Sequence, residues 1–90
     1  MEVLSVNDAE FVTLAQAKVY TGNFRDDSGE PEGLIKGLFV GKNKINALLD
    51  QTDIVGIRIY YGINSEGKTN LVLVGALSNG DDVTDLIVEK

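Results

Sequence analysis

Ninety residues with 14 acidic and 8 basic side chains, no cysteine and no histidine, give a formal net charge of −6 at pH 7. Disulfides, thiolate or imidazole metal sites, and nucleophilic catalysis of the Ser-His-Asp or Cys-His type therefore lack their parts. The acidic balance, with its few basic residues dispersed, opposes binding to nucleic-acid phosphates and to anionic membranes.

The length suits a single domain spanning residues 1–90, and 43% hydrophobic residues suit a folded one. A chain this short buries only roughly 60–65% of its unfolded surface, so its stability is marginal without help. With disulfides and thiolate metals excluded, oligomerisation is the expected source of that help. Glu2 stands where a signal peptide carries a basic region, and no stretch approaches the ~20 apolar residues of a membrane span. A cytoplasmic location is expected.

In chain order, residues 5–25 read as a helix. Ser5 or Asn7 would cap it, with Asp8 and Glu10 at the positive end of its dipole. At 100° per residue Phe11, Val12, Leu14, Ala15 and Val19 share one arc, while Ala17, Tyr20 and Phe24 share the opposite one. An ordinary surface helix is polar there, so the second arc is expected to meet either more of its own chain or a second subunit.

Residues 25–33, RDDSGEPEG, read as a loop. Asp26, Ser28 and Glu30 alternate as calcium ligands do, but Pro31 stands where the loop needs glycine, so no calcium site is assigned. Residues 34–41, LIKGLFVG, read as a strand, and KNKINALLDQ as a short helix capped by Asn43, with Ile45, Leu48 and Leu49 at helical spacing. The twelve residues from Lys42 to Asp53 are about the least that a parallel crossover requires. Gly41 and Lys42 imitate a phosphate loop, but the glycine spacing is one short and Asn43 replaces Ser or Thr.

Residues 54–63 and 69–77 are rich in β-branched side chains and read as a hairpin closed by NSEGK, and SNGDD makes the next turn. In the tail VTDLIVEK, Val83, Leu86 and Ile87 suit a helix while Leu86 and Val88 suit an edge strand, and the strand is preferred. The cluster Asp81, Asp82 and Asp85 reads as a solvated turn.

Alternation along GIRIYYG places Val55, Ile57, Ile59, Tyr61 and Ile63 on a core face. The other face holds Ile54, Gly56, Arg58, Tyr60 and Gly62. The next strand is apolar on both faces and is expected to be covered on both. Arg58 therefore has three readings. Its stem packs on the sheet and its guanidinium pairs with an acid such as Asp50, Asp53 or Glu66; or it forms an interface with Tyr60; or it holds an anion.

GLFVGKNKINALLDQ followed by GIRIYYG and LVLVGAL resembles a group of small bacterial proteins with no known activity, over about residues 33–77. The resemblance implies that helix, hairpin and arginine form one unit, and it implies no catalytic residue.

The expected fold is α+β: a long N-terminal helix packed on a three- to four-stranded, mainly antiparallel sheet, with a short helix after the first strand. The expected role is a non-catalytic interaction or assembly module without cofactor or metal. Its partner would be a second copy or another protein, met through Ala17, Tyr20 and Phe24 or through Arg58 and Tyr60. The alternative is a domain, enzymatic or not, that binds a small anionic ligand through Arg58 near Tyr60 or Lys42.

Overall fold

Two turn sequences organise the sheet. In the first, the Asn64 side-chain oxygen accepts from the backbone N–H groups of Glu66 and Lys68, both at 3.0 Å. Gly67 supplies the left-handed backbone (φ 79°) that a side chain would resist. In the second, Asn79 accepts from the Asp81 N–H at 3.0 Å, and Gly80, at φ 96°, donates to the Leu77 carbonyl. Both turns lie where their composition places them.

The computed structural model describes residues 3–27 and 37–90. Its elements are α1 (Leu14–Asp27), α2 (Lys42–Leu49), β1 (Ile54–Ile63), β2 (Thr69–Leu77) and β3 (Asp82–Glu89). The three strands form an antiparallel sheet in the order β1-β2-β3. Among the described residues the fold is α+β, with this sheet and two helices.

The tail is a strand, and Lys90 and Leu71 exchange both of their backbone hydrogen bonds just beyond its end. Its register jumps between Val74 and Gly75, which face Ile87 and Val83, so Thr84, Asp85 and Leu86 bulge out of the ladder.

The core is small and divided between the two faces of the sheet, with Leu48 and Leu73 on the α2 side and Val74 and Ala76 on the other. Leu48 is fully buried, and Leu73, Val74 and Ala76 of β2 are nearly so. Leu73 and Val74 point to opposite faces, so the middle strand is covered on both sides as its composition predicts. A second register shift, at the start of β1, puts Ile54 opposite Leu77 and hence on the Gly75 face. Ile54 Cδ1 lies 2.6 Å from where a Gly75 side chain would begin, with Gln51 Nε2 at 3.1 Å. Gln51 in turn donates to the Leu48 carbonyl at 3.0 Å, which ties the end of α2 to this face.

Several expectations are corrected. The first helix begins at Leu14 rather than Ser5. Thr13 Oγ1 accepts from the Gln16 N–H at 3.1 Å and Gln16 Oε1 accepts from the Thr13 N–H at 3.2 Å, a reciprocal capping box. Upstream, Ala9 takes φ 79°, which no helix tolerates. The strand expected over 34–41 is not formed by residues 37–41, and its first three residues lie outside the described ones, so no parallel strand exists among the described residues. The cap of α2 is Gly41, extended at φ −64° and ψ 144°, and Asn43 sits inside the first turn. Of the acidic loop, Asp26 and Asp27 end α1, while residues 28–33, with the calcium pattern's Ser28 and Glu30, fall outside the described residues.

Candidate functional site

Arg58 lies on β1 opposite Val74, and Asp82 lies on β3 opposite Ala76, so both project from one face with β2 between them. Neighbouring strands are about 4.8 Å apart, so an arginine on one outer strand has the reach to meet an aspartate on the other. Arg58 Nη1 donates to Asp82 Oδ1 at 2.5 Å and to the Gly80 carbonyl at 2.9 Å. The Tyr60 hydroxyl donates to Asp82 Oδ2. One carboxylate thus receives the guanidinium on one oxygen and the phenol on the other, while the arginine stem crosses the middle strand at Val74 and Ala76.

The hydrogen bond from Tyr60 holds the Asp82 carboxyl below its ordinary range, and Arg58 adds to that effect. The same bond to a negative acceptor, with desolvation, pushes the Tyr60 phenol above its usual value of 10.0, against the opposing pull of Arg58. The cluster is a neutralised clasp at neutral pH, and it ties the second turn to β1.

The structure confirms that Arg58 pairs with an acid and corrects which acid. The acid on its guanidinium is Asp82, and Glu66 lies 3.7 Å from Lys68. Lys42 opens α2, which packs on the Gly75 face, whereas Arg58 and Tyr60 project from the opposite face. Of the residues expected to hold an anion, Arg58 and Tyr60 therefore meet on Asp82, and Lys42 stands apart from them. Asp82 was read as part of a solvated turn. Its role follows from cross-strand register, which becomes available only once the tail is a strand.

On the same face the Asn70 side chain, 6% exposed, donates to Glu89 Oε1 at 2.9 Å. Asn70 Oδ1 has no hydrogen-bond partner among the described residues and sits 2.6 Å from where a Gly62 side chain would begin. The oxygen occupies the space that a side chain at position 62 would need.

The α2 face carries the second feature. Ile57, Ile59, Tyr61 and Ile63 share it, but the expected core exists only at the end that α2 covers. Ile59, Tyr61 and Ile63 are 55%, 86% and 77% exposed. Opposite them stand Tyr20 and Phe24 of α1, each more than half exposed, across an apolar cavity of about 940 Å³ that Leu38 and Leu71 also line. Ala17 is half-buried on α1 and does not line the cavity. The helix arc picked out by sequence thus faces the half of the sheet that α2 leaves bare, without closing on it.

Among the described residues no helix is long and apolar enough to cross a membrane, and no cluster of acidic side chains is arranged to hold a metal ion. No protein-family model matches the chain, and neither a curated protein nor a solved structure shows significant similarity to it.

Proposed function

We propose that this domain is a non-catalytic assembly module that self-associates through the apolar half-face of its sheet and the facing side of α1. The observation that carries this reading is surplus surface. The chain exposes 7185 Å², whereas a folded monomer of 9.7 kDa exposes about 5,100 Å². With the eleven residues outside the described segments counted as wholly exposed, at about 1,700 Å², the other 79 still exceed the roughly 4,700 Å² expected of a compact monomer of their size by about 800 Å², which is what one partner buries in a standard interface. Much of this surface is apolar, with Phe11, Phe39, Tyr61 and Ile63 all more than three-quarters exposed.

In the assembled state the long helix packs onto the sheet face, either on its own copy or across the interface, with Ala17, Tyr20 and Phe24 brought against Ile59, Tyr61 and Ile63. The anion-binding alternative is weaker, because a ligand would have to displace Asp82 from Arg58 and Tyr60.

Sedimentation equilibrium across micromolar concentrations tests the proposal. A mass of at least twice 9.7 kDa is expected for the wild type, reduced by a Tyr20→Ser, Phe24→Ser double substitution. A single-copy mass at every concentration overturns it.

A further inference from the structure

The hydrogen-bond parity of β1 determines which of its groups face outward. Leu71 exchanges both backbone bonds with Lys90, so its N–H and C=O point toward β3. Tyr61, opposite Leu71, therefore turns its own N–H and C=O away from β2. The register is unbroken from Ile57 to Ile63, so Ile57, Ile59, Tyr61 and Ile63 all present their backbone groups at the edge of the sheet away from β2. Among the described residues nothing pairs with them. Their side chains are the same ones that form the bare apolar half-face.

The two edges of the sheet are unlike. β3 is broken by its three-residue bulge and carries Asp82, Asp85 and Glu89, features that discourage pairing with another chain. β1 is ten residues long, contains no proline, and its single charged residue, Arg58, is engaged across the opposite face by Asp82. A long, apolar, unguarded edge is a template for strand addition.

We infer that the occupant of this edge is the β1 strand of a second copy, paired antiparallel about a two-fold axis at Tyr60, so that two sheets join into one of six strands. This rests on the assembly reading above and specifies its geometry. Only a register centred on Tyr60 gives every outward residue an outward partner: Ile57 meets Ile63 of the second copy, and Ile59 meets Tyr61. The apolar half-faces then run together without a seam. On the other face Arg58 meets Gly62 of the second copy, where no side chain obstructs it, and Tyr60 meets its own equivalent as an aromatic cross-strand pair. No like charges are brought opposite each other. The contact is isologous and closes at two copies, as the commonest soluble homo-oligomers do.

The chain lacks cysteine, so single introduced cysteines report unambiguously. A spin label at Ser65→Cys, in the exposed hairpin loop, should lie about 34 Å from its equivalent for a centre at Tyr60. A centre moved by one residue changes that separation by about 7 Å. Tyr60→Cys should form an inter-copy disulfide under mild oxidation, since facing non-hydrogen-bonded residues have Cα atoms about 4.5 Å apart. A dimer with the 34 Å separation and the cross-link supports the inference. A dimer lacking both overturns it and leaves the assembly reading standing. A monomer at labelling concentrations overturns both.

Discussion

Arg58 and Asp82 sit on the two outer strands of the sheet and meet across the middle one, Nη1 to Oδ1 at 2.5 Å, with both side chains one-quarter exposed. The contact joins residues 24 apart in sequence and holds the second turn through the Gly80 carbonyl as well. It also covers the apolar side chains of β2 on the face turned away from α2.

Replacing Arg58 by Ala should therefore lower the melting temperature through lost cover over Val74 and Ala76 as well as through lost charge pairing. Asp82→Asn should also lower it, and the double substitution should cost less than the two singles together. Thermal denaturation of the four proteins measures the coupling. Strict additivity would mean that the pair contributes no mutual stabilisation.

The same cluster sets a pH dependence with two limbs. The Asp82 carboxyl is depressed on folding, so its contribution is present above the ordinary carboxyl range and is lost as pH falls through the lowered folded value. The Tyr60 phenol is raised, so its contribution is present below 10.0 and is lost as pH rises through the higher folded value. Melting temperature measured against pH should fall at both extremes. Tyr60→Phe should flatten the alkaline limb and soften the acid one. Identical alkaline limbs for wild type and Tyr60→Phe would contradict the assignment.

Gly62 and Asn70 make a third test. A methyl at position 62 would fall 2.6 Å from Asn70 Oδ1 and force the amide off Glu89. Gly62→Ala should destabilise by about 1–3 kcal/mol through overpacking. Adding Asn70→Ala should recover part of that loss, because the obstructing oxygen is gone. Gly75→Ala should cost a similar amount by displacing Ile54 and Gln51. Chemical denaturation gives all four free energies. A Gly62→Ala protein as stable as the wild type would show that the strand has room the structure denies it.

What was legible in the sequence is local chemistry. Asn64 and Gly67 in one turn, and Asn79 and Gly80 in the next, mark both reversals, because a side-chain acceptor and a left-handed residue act over three or four positions. The β-branched runs from Ile54 and Thr69 give two strands, and Ile45, Leu48 and Leu49 give α2. The start of α1 was equally local but misjudged. Ser5 and Asn7 carry capping side chains, but the reciprocal pairing of Thr13 with Gln16, together with the left-handed Ala9, moves the start downstream of both.

Alternation by itself determined which residues of β1 share a face, and that determination holds from Ile57 to Ile63. Only the tertiary structure decided what each face meets. Whether Ile59 and Tyr61 are core depends on how far an eight-residue helix extends along the sheet, and α2 ends before it reaches them. Which acid Arg58 finds depends on the register of a third strand, shifted by a bulge that no periodicity announces. Side-chain direction follows from the pleat of a single strand, whereas cover and partner follow from the placement of distant ones.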